Sequence, residues 1–183
     1  MNTSPKFEYA FSRTLLWERG FESAATALRI HDSGGATMDG ISDAADGKVD
    51  GLANYPRAGI INVPIASLTL DQVKTIYFTY WWTDNRCEDV NDTRLAALWF
   101  DCSVNLGSGG GGKIVQEAVN TFLPDALKIE VDGSVGPATI GKMNELPTIP
   151  LNNKICDLRT AHYEAVRPGM SQLVERSESY RIT

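Results

Sequence analysis

Side chains at Phe7, Ala10, Phe11, Thr14 and Leu15 fall at helical spacing and form one largely apolar stripe, so the chain opens on an amphipathic helix. Ser4 can cap that helix and Pro5 suits its first position, while Gly20 is a natural stop. Glu18 is thereby placed at the helix C-terminus, between Trp17 and Phe21. From Asp32 to Gly59 the pattern changes to short alternating segments punctuated by Gly34, Gly35, Gly40, Gly47, Gly51 and Gly59. With Asp46-Gly47 as a turn signal, this stretch predicts a small β-hairpin or three-stranded patch. After Pro64 helical periodicity returns. Thr69 and Gln72 have capping-box spacing, and Val73, Ile76, Tyr77, Tyr80 and Trp81 form the stripe behind them. Asp92 can cap the next helix, which carries Leu95, Leu98, Trp99, Cys102 and Leu106. The run Gly107 to Gly112 reads as a break, followed by a helix with Ile114, Val115, Ala118, Val119 and Phe122 on one face. Asp132 to Gly136 reads as a turn, and Pro137 opens a short helix to about Glu145. Pro147 and Pro150 mark a connection. A last long helix carries Ile155, Leu158, His162 and Ala165 and ends at Pro168-Gly169; Met170, Leu173 and Val174 suggest one or two turns more. The expected fold class is α+β, mostly helical, with a small glycine-rich β-hairpin or sheet after the first helix.

Composition narrows the function. The 183 residues suffice for one domain, and no run approaches the roughly 20 apolar residues of a membrane span. The first residues, Met1 to Lys6, lack a charged lead and apolar run, so no signal peptide is expected. A net charge of −6 without clustered Lys or Arg argues against nucleic acid. Cys87, Cys102 and Cys156 stand too far apart for a zinc site or a disulfide framework, and free buried thiols in a reducing compartment are expected. With only His31 and His162, a histidine metal site is not expected. The Asp46-to-Gly51 segment has a faint likeness to a calcium loop, but Arg57 stands at the twelfth position where a Glu is required, so a tight turn is the better reading. No metal and no cofactor are expected.

The chemistry that remains is carboxylate chemistry. Glu18 would face the negative end of its helix, and aromatic neighbours could strip it of water. Both effects favour the protonated form that a general acid needs near neutral pH. Asp32-Ser33-Gly34-Gly35-Ala36-Thr37 then brings a second carboxylate and a hydroxyl into one compact turn. Glycosidic cleavage divides its labour in this way: one group protonates the departing oxygen, and the other holds water or steadies the positive sugar. An Asx-turn with Thr37 opening a strand is the alternative for this segment.

Several motifs in order resemble one family. Leu16-Trp17-Glu18-Arg19-Gly20-Phe21 is similar to the Glu-Gly-Gly-Tyr element of glycoside hydrolase family 108. Asp32 to Thr37, running into Gly40-Ile41, resembles its Asp-Pro-Gly-Gly-x-Thr…Gly-Ile segment, and Tyr80-Trp81 its Tyr-Trp pair. Phe100-Asp101-Cys102-Ser103-Val104-Asn105-Leu106-Gly107 is similar to its Phe-Asp-x-x-Val-Asn-x-Gly helix. Val131-Asp132-Gly133 with Gly136-Pro137-Ala138-Thr139 resembles its Asp-Gly-x-x-Gly-x-x-Thr signature. Arg19 and Ser33 depart from the usual Gly and Pro, and neither departure removes a reacting group. The resemblance implies a lysozyme-like fold and an N-acetylmuramidase of the phage-endolysin kind, with Glu18 as catalytic acid and Asp32 and Thr37 across the cleft. It implies Tyr80, Trp81 and Asn105 as substrate-binding residues, the rings stacking on sugars and the amide holding an N-acetyl group. It also implies a single lysozyme-like domain over 1–183, with a catalytic part over 1–106 and a helical part over 107–183 that carries a peptidoglycan-binding signature. Peptidoglycan would be the partner and a monomer the default state, held in the host cytoplasm until release to the cell wall at lysis. Two readings stay open beside this one: a non-catalytic wall-binding module, and a lytic transglycosylase.

Overall fold

The computed structural model describes residues 3–18, 21–22 and 36–183. Helix α1 (Pro5–Glu18) buries Phe7, Ala10, Phe11, Thr14 and Leu15, the stripe its periodicity predicts, and ends at Glu18. Gly20, read as its stop, lies outside the described residues. The chain divides into two compact units. One contains Phe11–Tyr80 with the first residues of the chain; the other contains Pro5–Ala10 and Trp81–Thr183.

In the first unit, β1 (Phe21–Glu22), β2 (Thr37–Met38) and β3 (Ile41–Ser42) form an antiparallel sheet in the order β1-β2-β3. Thr37 pairs with Glu22 on one side and Ser42 on the other, and Met38 pairs with Ile41. The two-residue connection Asp39-Gly40 has positive φ at both positions (49° and 79°), the signature of a type I′ hairpin. The hairpin turn is therefore this Asp-Gly pair, not Asp46-Gly47. Asp43–Asp46 is instead a turn of 3₁₀ helix, started by the Ser42 hydroxyl accepting from Ala44 N (3.0 Å) and closed by Gly47 at φ 84°. Carboxylates organise the loop beyond it. Asp43 Oδ2 accepts from Gly51 N (2.8 Å), Asp46 Oδ1 from Lys48 N (3.1 Å) and Asp50 Oδ1 from Leu52 N (3.1 Å). Strands β4 (Leu52–Tyr55) and β5 (Ile60–Pro64) follow as a separate antiparallel pair. Helix α2 (Leu70–Tyr77) starts with the expected capping box: Gln72 N donates to Thr69 Oγ1 (3.3 Å) and Thr69 N to Gln72 Oε1 (2.9 Å).

At its end α2 widens into a π-helical turn, Phe78–Thr83. The Thr79 hydroxyl donates to Thr75 O (2.8 Å), giving that carbonyl a side-chain partner where the ladder changes register. The wider turn corrects the expected stripe. Val73, Ile76 and Tyr77 are buried, but Tyr80 and Trp81 are only half-buried, and the next core residue is Trp82, five positions beyond Tyr77.

In the second unit, Trp82 packs edge-to-face on Phe7 (5.4 Å) and Phe100 (5.6 Å), and its Nε1 donates to Glu88 Oε2 (3.0 Å). Helix α3 (Thr93–Asn105) is capped by Asp92, which accepts from Arg94 N (2.8 Å) and Leu95 N (3.2 Å), and every residue from Leu95 to Ser103 is buried. After one left-handed residue, Gly107 (φ 71°), the glycine run does not break the chain: Gly107–Asn120 is helix α4. Contacts override propensity there. A Cβ on Gly111 would lie 2.7 Å from Cys102 O, and one on Gly112 would run into Gly133 O, so the bare helix face allows α3 and the Asp132-Gly133 loop to close on it. Phe122, expected on the buried face, lies past the helix end and is exposed. Helix α5 (Pro137–Glu145) starts at Pro137 as predicted. Helix α6 (Thr148–Val166) contains Pro150 in its first turn, where a missing N–H costs nothing, so Pro150 does not interrupt the chain as a connection would. Its buried face runs through Leu151, Asn152, Ile155, Cys156, Arg159 and Tyr163, whereas Leu158 is half-buried and His162 and Ala165 are exposed. The buried face is rotated from the expected stripe because Arg159 is held inside by its bond to Asp101. Helix α7 (Ser171–Ser179) completes the unit.

Candidate active site

Glu18 occupies the last position of α1 and is half-buried. Its surroundings come from the β2–β3 hairpin and α2. A Cβ built on Gly40 would lie 2.9 Å from Glu18 Oε2 and 3.1 Å from Glu18 Cβ, and would overlap the Tyr77 hydroxyl. The carboxyl of Glu18 and the hydroxyl of Tyr77 therefore both close on the bare α-carbon of the hairpin turn. Tyr77 fixes this arrangement by donating its hydroxyl to Asp39 O (3.0 Å), while its ring packs on Phe11 of α1 at 5.6 Å. Gly40 is required twice, by its positive φ and by the absence of a side chain. Sequence reasoning named Glu18 but took Tyr77 as core alone; a tyrosine at a fully buried position was the available signal, since such a hydroxyl needs a partner.

Thr37 sits on the central strand of the same hairpin sheet, half-buried, two residues before the turn. Asp32, the other residue expected near the acid, lies outside the described residues, as do Ser33, Gly34 and Gly35. Tyr80 has most of its surface engaged within the first unit. Its hydroxyl accepts from Arg57 N (3.0 Å), the Arg57 guanidinium lies 4.9 Å from its ring centre, and Tyr55 meets it edge-on at 5.3 Å. Tyr80 thus pins the connection between β4 and β5. Trp81, half-buried, begins the second unit, and its carbonyl accepts from Asn85 N (3.2 Å) and Nδ2 (2.7 Å).

Asn105 closes α3 in the second unit and is tied to a buried ionic cluster. Asp101, fully buried, receives Arg159 Nη2 (2.5 Å) together with Arg176 Nε (3.0 Å) and Nη2 (2.7 Å). Burial works against the Asp101 charge, but the two guanidinium groups outweigh it and hold the carboxyl at about 2. Arg159 also donates from Nε to the Tyr163 hydroxyl (2.7 Å), and that hydroxyl donates to Asn105 Oδ1. The cluster escaped the sequence reading. A lone carboxylate inside the apolar run Leu95–Ser103 signals a buried pair, but its partners lie 58 and 75 residues away. All three cysteines are free and buried as expected, and burial raises Cys102 to about 11 and Cys156 to about 12.

Among the described residues no cluster of His, Cys, Asp or Glu is arranged to hold a metal ion, and no helix is long and apolar enough to cross a membrane. The family model of glycosyl hydrolase 108 matches residues 11–107, just over half of the chain. The match takes in Glu18, Asp32, Thr37, Tyr80, Trp81 and Asn105, and stops before the Val131-to-Thr139 signature. The solved structure of SagA from Brucella abortus is similar over 95% of this chain and 92% of its own, with a TM-score of 0.67 and 19% identity. That likeness carries the fold, the mostly helical, lysozyme-like α+β arrangement expected from the sequence. Among curated proteins no match is found.

Proposed function

The chain belongs to glycosyl hydrolase family 108 and is a peptidoglycan hydrolase of the lysozyme-like type, and on that premise we propose that it is an N-acetylmuramidase using Glu18 as its general acid. The bond cleaved is the β-1,4 link from N-acetylmuramic acid to N-acetylglucosamine. Glu18 delivers its proton to the bridging oxygen as the bond from that oxygen to the muramic anomeric carbon breaks. Asp32 and Thr37 serve the opposite face of the sugar, where water adds to the oxocarbenium-like centre. The observation that supports this most is the seat of Glu18. Its carboxylate lies against Gly40 beside a tyrosine hydroxyl anchored at Asp39 O, so the acid is positioned by rigid elements on two sides. Within the first unit, Tyr80 offers a ring edge whose position is held by Arg57. Three buried, reduced thiols agree with a protein that folds in a reducing cytoplasm and meets the wall at lysis, the life of a phage endolysin.

The test is digestion of purified peptidoglycan by the parent and by Glu18→Gln, with the soluble fragments analysed by mass spectrometry. Fragments with a reducing N-acetylmuramic end are expected from the parent. Glu18→Gln should lose about 10²–10⁴-fold in rate with unfolding unchanged. Anhydro ends would make the reaction a transglycosylation, reducing N-acetylglucosamine ends would move the cut to the other bond, and an active Glu18→Gln would remove the acid from the mechanism.

A further inference from the structure

The hairpin turn that seats Glu18 has an inner and an outer side. Asp39 and Gly40 join β2 to β3, and the pair that closes them is Met38 with Ile41, so the strand ladder does not take up the N–H of Gly40. On the inner side the turn is pinned: Tyr77, 1% exposed, donates its hydroxyl to Asp39 O (3.0 Å). On the outer side it is open. Gly40 is exposed, although Ile41 beside it is fully buried, and among the described residues none accepts a hydrogen bond from Gly40 N. This N–H belongs to the residue that the acid lies against. A Cβ on Gly40 would be 2.9 Å from Glu18 Oε2, and the amide nitrogen shares that α-carbon, so donor and acid lie within about 5.5 Å of each other.

A backbone donor fixed beside a general acid is available to whatever the acid works on. Its complement is a group that only accepts. A sugar hydroxyl both donates and accepts, and pairs equally well with water; an acetamido carbonyl accepts only. In an N-acetylated glycan that carbonyl is carried on the carbon next to the anomeric carbon, and so stands beside the bridging oxygen that the acid protonates. One sugar can therefore present its glycosidic bond to Glu18 and its acetamido oxygen to Gly40 N. Because Tyr77 already holds the turn, no loop has to be ordered when that bond forms.

We propose that the Gly40 N–H is a substrate-binding group, which holds the acetamido carbonyl of the sugar at the cleaved bond and makes the first unit select N-acetylated glycan. Backbone N–H groups serve in this way in many ligand sites, where a few fixed polar groups set orientation and specificity. The identity of the ligand rests on the reading of Glu18 as a glycosidase acid; the open donor beside the carboxyl does not.

Backbone NMR of the full chain, carrying Glu18→Gln to stop turnover, reads the Gly40 amide directly. The probes are chitotetraose and cellotetraose, neutral glycans that differ only in having an acetamido group or a hydroxyl on each sugar. Chitotetraose should move the Gly40 amide proton downfield and slow its exchange with solvent. It should also bind about 10-fold more tightly than cellotetraose, the upper worth of one hydrogen bond. Cellotetraose should leave the Gly40 amide where it stands in the free protein. A Gly40 amide unmoved by bound chitotetraose, equal shifts from the two glycans, or no binding of chitotetraose at millimolar concentration would overturn the role of this donor. Wall cleavage by Glu18→Gln would instead remove the acid from the mechanism and leave a shifted Gly40 amide standing, so the two readings fail separately.

Discussion

Gly40→Ala tests the construction of the acid's seat. The turn residue holds φ 79°, which costs an L-residue about 1–2 kcal/mol. The new Cβ would also meet Glu18 Oε2 at 2.9 Å and the Tyr77 hydroxyl, and overpacking of this kind costs about 1–3 kcal/mol. The sum, about 2–5 kcal/mol, should appear as a fall in urea-unfolding free energy. Relief must come from the flexible ends, so the Glu18 carboxylate moves; a displacement of about 1 Å is worth roughly 10²-fold in rate if it is the acid. Tyr77→Phe alone should cost about 1 kcal/mol, because Asp39 O loses its donor. In the double variant the methyl takes the space the hydroxyl left, so the two costs should fall short of their sum by about 1 kcal/mol while the activity stays low, the clash with Glu18 being untouched. Additive energies within about 0.5 kcal/mol would refute the shared contact. Full wall clearance by folded Gly40→Ala would mean that the carboxylate's position does not govern the reaction.

Two further substitutions read the second unit. Asp101 is held at about 2 against an ordinary 3.8, so its stabilising contribution is complete above about pH 4 and is lost as the pH falls towards 2; the difference corresponds to roughly 2 kcal/mol. Asp101→Asn should abolish that acid-limb dependence and, by removing the carboxylate that the buried Arg159 guanidinium is paired with, lower the melting temperature by about 10 °C; an unchanged acid limb in calorimetry would contradict this. On the glycine helix, Gly109→Ala meets nothing within 4 Å and should stabilise by about 0.5–1 kcal/mol, whereas Gly112→Ala drives a methyl into Gly133 O and should destabilise by more than that. Equal effects of the two in urea titrations would show that the glycines are not there for close approach.

Where local rules and tertiary contacts agree, the elements could be read directly. The α1 stripe, the Thr69–Gln72 box, the Asp92 cap and the Pro137 start depend on neighbours a few residues apart, and each is present. The departures are positions where a distant partner overrules the local pattern. Gly107 to Gly112 has the propensity of a linker, but its bare face lets the Cys102 backbone and the Gly133 loop come close enough to hold it helical. Arg159 belongs outside by polarity and inside by its bond to Asp101, and admitting it rotates the whole buried face of α6. At the active site, the end of α1 was legible from Glu18 and its flanking residues. The hairpin turn that meets it was not, because Asp46-Gly47 carries the same turn chemistry as Asp39-Gly40, and only strand pairing decides between them.

The Asp-Gly-x-x-Gly-x-x-Thr signature bears on how the second unit could meet the wall. Asp132 Oδ1 accepts from Gln116 Nε2 (2.7 Å) and Ser134 N (2.8 Å), and Gln116 Oε1 accepts from Gly133 N (2.7 Å). Gly133 has no room for a side chain, since a Cβ there would lie 2.6 Å from Gly109 O, and Gln116 and Thr139 are 2% and 4% exposed. Asp132 Oδ1, Gly133 and Gln116 together hold one loop against the glycine face of α4. A pattern so engaged specifies packing, which is a physical reason for its spacing whatever else this unit binds.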